Sequence, residues 1–312
     1  MIRVAVVGVG ALGQHHARVY ASLPSARLVG VYDVDAQRAA EVASRYGCEA
    51  LPTLDAAVEE AEAVSVAVPT ADHHVVSRRL LEAGRHVLLE KPMTVTLAEA
   101  DDLIEVAKKC GTVLQVGHIE RFNPAVEALR AHVRGPRFIE VHRLGAFSSR
   151  SLDVDVVLDL MVHDLDIVLC LDGSPAVQID AVGVPVLTSR VDIASARLRF
   201  ESGLIANLTA SRVSAEKVRK FRVFAPRVYI SADLAARQVR ISRLVEGKEG
   251  RPSIDVQVIG SPGEEPLRRQ LEAFLASAEA RTPPAVTGLD GRRALELAHT
   301  VLERMREAGG AS

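Results

Sequence analysis

The chain has 312 residues, a net charge of −2 and 25% charged residues, enough length for two domains and no acidic or basic tail. That balance excludes the electrostatic footprint of a nucleic-acid-binding protein. Three scattered cysteines, Cys48, Cys110 and Cys170, argue against a disulfide framework or a zinc site and fit a reducing cytoplasm. The start, Met1-Ile2-Arg3, carries no signal-peptide pattern, and no apolar run is long enough to span a membrane, so a cytoplasmic protein is expected. Aromatics make up only 4%, with no tryptophan, so the cores are aliphatic.

Ile2 to Val7 is apolar apart from Arg3, as a central parallel strand covered on both faces would be. Gly8-Val9-Gly10-Ala11-Leu12-Gly13 follows at once, then a helical stretch from Gln14 to Leu23. Position 8 wants glycine for a tight turn, position 10 so that backbone can approach a pyrophosphate, and position 13 for close helix–strand packing. The phosphates would sit on the helix N-terminus, with Ala11 and Leu12 in the turn beside them. A second strand, Ala26 to Tyr32, ends at Asp33, twenty residues after Gly13, where a carboxylate can bind both ribose hydroxyls. Asp33 favours NAD over NADP, because a 2′-phosphate would meet its negative charge. Arg38 is expected on the solvated face of the next helix, and His15 and His16 as packing or capping residues. An S-adenosylmethionine methyltransferase shares this glycine turn and acidic strand end and is the main rival on these residues alone.

The alternation of strand and helix continues through Ala63–Val68, His86–Leu89 and Val113–Val116, with a capped amphipathic helix from Leu97 to Cys110. It predicts a Rossmann-like, doubly wound parallel sheet over residues 1–120. Ligands bind at the carboxyl ends of such strands. Gly8–Gly13, Asp33, Pro69-Thr70, Glu90-Lys91 and Gly117-His118 all fall there. The run Val87-Leu88-Leu89-Glu90-Lys91-Pro92 delivers a carboxylate, an ammonium and a proline to one strand tip. Buried ions are costly unless paired, and lysine suits proton handling when desolvated, so a cleft is expected at this point.

Beyond residue 120 the pattern changes to an α+β domain over 121–285, followed by a last helix within 286–312. Val154 to Leu169 is helical by apolar content yet carries Asp155, Asp159, His163 and Asp166 at i, i+4, i+8 and i+11, one polar stripe. On a solvated face such a stripe is unremarkable; on a helix this apolar it suggests a site. Six alternating stretches between Val177 and Arg243 predict a large, mainly antiparallel open sheet with one buried face, whose arginines (Arg197, Arg199, Arg219, Arg222) look outward. Helices are expected at Pro266–Ala280 and Leu289–Glu307.

Gly8-x-Gly10-x-x-Gly13, Pro69-Thr70-x-x-His73, Gly84-Arg85-His86-Val87-x-x-Glu90-Lys91-Pro92, Asp159-x-x-x-His163-x-x-Asp166 and Gly288-Leu289-Asp290-Gly291 together resemble the Gfo/Idh/MocA oxidoreductases over essentially the whole chain. Relatives usually carry glycine where this chain has Met161. The resemblance implies an NAD-dependent sugar dehydrogenase with Lys91 as catalytic lysine, its bond to Pro92 often cis, His163 handling the substrate hydroxyl proton, and Asp159 holding substrate or orienting that histidine. Pro69, Thr70, His73 and Glu90 would border the cofactor. No metal is implied. The second domain's sheet usually packs in dimers or tetramers. Gly117-His118-Ile119-Glu120-Arg121-Phe122-Asn123-Pro124, with Asp159-Leu160-Met161-Val162-His163-Asp164, resembles the branch that oxidises the 3-hydroxyl of UDP-N-acetylglucosamine or its uronate. In that branch His118, Arg121 and Asn123 would lie near substrate, although a salt bridge serves equally well for Arg121. A free polyol such as inositol is the alternative substrate. A non-catalytic NAD-binding sensor is the alternative of another class, and it would be expected to lose the lysine or the histidine that this chain keeps.

Overall fold

The computed structural model describes residues 1–147, 154–247, 251–260, 263 and 265–309. The chain divides into two compact units, Met1–Ile119 with Glu265–Arg292, and Glu120–Glu264 with Arg293–Ser312.

In the first unit the elements run β1 (Ile2–Val7), α1 (Gly13–Tyr20), β2 (Ala26–Tyr32), α2 (Ala36–Tyr46), β3 (Glu49–Ala50), α3 (Leu54–Glu60), β4 (Ala63–Val66), α4 (His73–Glu82), β5 (His86–Glu90), α5 (Leu97–Cys110) and β6 (Leu114–Gly117). The six strands are parallel in the order β3-β2-β1-β4-β5-β6. This is the doubly wound sheet that the strand–helix alternation predicts. The strand order reverses beside β1, and the crevice beyond the carboxyl ends of β1 and β4 follows from that reversal. Val4–Val7 and all of β4 are buried, so both faces of the sheet are covered. Helices α2, α3 and α5 start where the sequence supplies an acceptor. Asp35 accepts from Arg38 N at 3.1 Å, Thr53 from Ala56 N at 3.2 Å, and Thr96 forms a reciprocal capping box with Glu99. Each such cap contributes about 1 kcal/mol. The two-residue β3 left no mark in the hydrophobic pattern, being too short to alternate.

The second unit holds α6 (Pro124–His132), β7 (Phe138–Leu144), a π-helical turn (Val157–Met161), α7 (Val162–Asp172), β8 (Ala176–Val184), β9 (Ile193–Phe200), β10 (Ile205–Ser211), β11 (Val218–Ala225), β12 (Val228–Asp233), β13 (Gln238–Glu246) and β14 (Pro252–Gly260). Its eight-stranded sheet has the order β14-β13-β12-β11-β7-β10-β9-β8. All neighbours are antiparallel except β7 and β10, which run parallel with Phe138 opposite Ile205. A parallel pair needs a long crossover, and here α7, β8 and β9 lie between the two strands. The edge strand β14 was not assigned from the sequence; nearly every residue in it is exposed, and its alternating Ile254, Val256 and Val258 are exposed too. One face of the sheet carries the core, with Ile139, Val141, Leu198, Phe221 and Ile230 packed with Met161, Leu165 and Val168. Burying each such side chain stabilises by about 1.5–3 kcal/mol.

The last two helices are α8 (Pro266–Ala280) and α9 (Gly288–Glu307). Nothing in the sequence pattern signalled that α8 returns to the first unit. Leu267, Leu271, Phe274 and Leu275 pack there with Val4, Val6, Ala17 and Tyr20. The first turn of α9 belongs to the first unit and its remainder to the second. Gly291 sits so close to Val116 that a Cβ would lie 2.6 Å from a valine methyl.

Candidate functional site

The glycine turn is built as its spacing requires. Gly8 has φ +82°, and a Cβ on it would lie 2.7 Å from the Val68 backbone nitrogen. A Cβ on Gly13 would lie 1.8 Å from the Gly8 carbonyl oxygen, so α1 approaches β1 only because that side chain is absent. Gly10 faces open space, and no side chain caps the N-terminus of α1. Asp33, buried at the end of β2, accepts from Val9 N at 2.8 Å through Oδ2 and from Asp35 N at 3.0 Å through Oδ1. Arg38 reaches the same carboxylate at 3.3 Å, where a purely solvated face was expected. A cavity of about 450 Å³ opens between the turn and α2, lined by Val9, Gly10, Ala11, Gln14, Arg38 and Arg45. Exposed backbone at Gly10, a helix N-terminus and a carboxylate at the next strand end suit the pyrophosphate and ribose of a dinucleotide.

Further along the same edge, Pro69 and Thr70 lead into a short 3-10 turn, Thr70–Asp72. His73 is buried, with Nδ1 3.0 Å from Pro92 O and Nε2 3.0 Å from Val68 O. Burial lowers its pKa, and the two carbonyls pull the other way. The ring lies between the loop after β4 and the turn after β5 and can donate to a carbonyl of either, depending on its tautomer. The Lys91–Pro92 peptide is cis. Lys91 is half-buried, whereas Glu90 and His118 are buried.

The second unit sorts its polar residues into two groups. Arg121 donates to Asp166 through Nε at 2.6 Å and through NH2 at 2.8 Å, with both side chains buried. Arg143 donates to Asp164 at 2.7 and 2.8 Å and to Glu120 at 2.8 Å. Burial works against the charge on Arg143, but its two carboxylates raise its pKa overall. Asn123 caps α6, accepting from Ala125 N and donating to Glu120 and to Leu234 O, the latter two at 2.9 Å. Asp155 accepts from Val191 N at 3.1 Å. Arg121, Asn123, Asp155 and Asp166 thus each have a partner within the second unit. Asp159, inside the π turn, and His163, four residues on, are only half-buried. Asp155 is equally half-buried and only Asp166 of the stripe is buried, but Asp159 lies within the π turn, and π turns within helices are frequent at functional sites. Met161 between them is fully buried in the core.

Two polar clusters escaped the sequence reading: Glu120–Arg143–Asp164 here, and His16–Glu90–Gln270 in the first unit. Only the pairing of an inward arginine on β7 with two acids far away in sequence could have revealed the former. Among the described residues no group of three His, Cys, Asp or Glu side chains is placed to hold a metal ion. No helix of the described residues is long and apolar enough to cross a membrane.

The chain is similar to known proteins over most of its length. Residues 2–118 match the oxidoreductase family, NAD-binding Rossmann fold, of the Gfo/Idh/MocA group, and residues 125–230 match its C-terminal domain. The UDP-N-acetylglucosamine 3-dehydrogenase of Acidithiobacillus ferrooxidans is 41% identical over 299 residues, covering 95% of each chain. A solved structure of that enzyme superposes with a TM-score of 0.93 at 40% identity, covering 98% of both chains. The myo-inositol 2-dehydrogenase of Thermotoga maritima is 26% identical over 98% of this chain and 97% of its own. The chain therefore belongs to the Gfo/Idh/MocA oxidoreductase family.

Proposed function

We propose that this protein oxidises the 3-hydroxyl of UDP-N-acetylglucosamine, or a closely related nucleotide-activated amino sugar, with NAD as hydride acceptor. The observation that carries the reading is the near full-length likeness to the Acidithiobacillus ferrooxidans enzyme, joined to this chain's own Lys91, Asp159 and His163. When bound, NAD would supply the acceptor for the hydride that leaves the carbinol carbon with its electron pair. Gly8–Gly13 would hold its pyrophosphate and Asp33 its ribose hydroxyls, and the Asp33 carboxylate would disfavour the 2′-phosphate of NADP. The imidazole of His163 takes the hydroxyl proton; an unperturbed pKa of ~6.5 suits a base near neutrality. Asp159 orients that ring or holds a substrate hydroxyl. The Lys91 ammonium stabilises the developing alkoxide, a service worth roughly 3–4 kcal/mol by analogy with an oxyanion-hole donor. The products are a 3-keto sugar, NADH and one proton.

The enzyme works in the cytoplasm as a homodimer or homotetramer. Its copies pack through the outer face of the eight-stranded sheet, where Val182, Val184, Leu244, Ile254, Val256 and Val258 are exposed. Unpaired apolar sheet surface of this kind needs cover.

Single-turnover absorbance of bound NADH after adding UDP-N-acetylglucosamine tests the function. Lys91→Met lowers the rate by about 10²–10³-fold with NADH affinity nearly intact; an unchanged rate removes Lys91 from the chemistry. Turnover with myo-inositol in place of the nucleotide sugar would transfer the reading to the polyol dehydrogenases.

A further inference from the structure

The carboxylate of Glu90 points inward. It is 6% exposed at the tip of β5, and a buried carboxylate needs compensation. Its compensation comes from three distant parts of the chain. His16, on the second turn of α1 and fully buried, places Nε2 3.2 Å from Glu90 Oε1. Gln270, on α8 and fully buried, directs its Nε2 at the same oxygen from 3.4 Å. Gln115, on β6, donates to the Gln270 carbonyl at 3.2 Å and so holds α8 at this height. Gly117 stands opposite Glu90 across the β5–β6 pair, and a Cβ there would lie 2.5 Å from Glu90 Oε1. The strand end is therefore glycine so that the carboxylate can fold under it. Burial opposes the charge on Glu90, but His16, the Lys91 ammonium and the Lys91 backbone N–H outweigh it and hold the carboxyl below its usual range.

We propose that His16 and Gln270 are positioning residues for Lys91: they anchor the inward Glu90 carboxylate, which fixes the Lys91 backbone and acts as counter-charge to its ammonium. The proposal rests on the role given to Lys91 above. It assigns a task to α8, whose return to the first unit otherwise serves only packing. It also separates Glu90 from the cofactor-contacting residues, since its carboxylate has protein partners on the inner side. Loss of His16 removes the Glu90 neighbour at 3.2 Å and leaves Gln270 and Lys91 to hold the carboxylate, which weakens the anchor of Lys91.

The test compares His16→Leu, His16→Gln and Gln270→Leu in the full chain. The first readout needs neither cofactor nor sugar: the rate at which an amine-acylating reagent modifies Lys91, followed by peptide mass. In His16→Leu and Gln270→Leu it rises by roughly threefold or more, because a lost counter-charge frees the amine. In His16→Gln, which keeps a donor at the Nε2 position, it stays near the wild-type rate. The second readout is single-turnover hydride transfer, which falls by about 10–100-fold in the two leucine variants, with sugar KM and NADH affinity within about twofold. His16→Gln recovers most of it. Wild-type acylation and wild-type turnover in His16→Leu would overturn the proposal, as would equal loss in His16→Leu and His16→Gln. If wild-type protein oxidises no sugar, the functional reading fails while the acylation comparison still decides this one.

Discussion

Asp166→Asn tests whether the polar stripe of the second unit is framework or substrate contact. Arg121 and Asp166 form a bidentate pair at 2.6 and 2.8 Å, with side chains 7% and 1% exposed. Guanidinium keeps its charge at any accessible pH, so the amide leaves a buried cation facing a neutral group. Breaking a buried pair on one side costs about 3–5 kcal/mol. For a unit of this size each kcal/mol lowers the melting temperature by about 2–4 °C, so the second unit should melt roughly 6–20 °C lower. The first unit contains neither residue, and NADH titration below the transition should match wild type. Circular-dichroism melting measures the shift. Arg121→Met combined with Asp166→Leu should regain most of it, because an apolar pair of similar volume removes both charges. Melting within about 2 °C of wild type, together with a raised sugar KM, would refute the framework assignment and return Arg121 to the substrate.

Gly13→Ala should abolish NADH binding, read by fluorescence titration, because its Cβ would overlap the Gly8 carbonyl at 1.8 Å; retained affinity would contradict the turn geometry. Asp192→Asn changes the acid response. Burial pushes the Asp192 carboxyl up, but the Leu187 and Thr188 N–H groups and Arg212 outweigh it and hold its pKa below the usual range. A depressed folded value means the stabilisation is complete above the unfolded pKa of ~3.9 and drains as pH falls through the folded one. Wild type should therefore lose melting temperature steeply below about pH 5, while Asp192→Asn starts lower and declines less. Parallel curves would exclude Asp192 as the cause.

Local chemistry decided what could be read from the sequence. The glycine turn, Asp33 and the strand tip at Lys91 were legible because tight turns and buried parallel strands restrict residue types position by position. The second unit's central strands were legible because one face is buried, so β9 and β10 alternate. Edge strand β14 alternates over Ile254–Val258, but its apolar residues face outward and its polar ones inward, the reverse of a strand packed on the core. The stripe Asp155–Asp159–His163–Asp166 was visible as a pattern, yet its division of labour was not. Asp155 and Asp166 are claimed by Val191 N and Arg121, partners the local sequence does not announce. Helix α8 shows the same limit at larger scale. Its amphipathic face is plain in the sequence, but the surface it covers is set by the fold.

The central claim is that Lys91 and His163 serve one oxidation of a nucleotide-activated amino sugar by NAD. It is tested most directly by mixing purified protein with NAD+ and UDP-N-acetylglucosamine and recording NADH absorbance in a single turnover. The account predicts one equivalent of bound NADH and a 3-keto sugar, both suppressed in Lys91→Met and in His163→Ala. No NADH from wild-type protein that demonstrably binds NAD+ would contradict it.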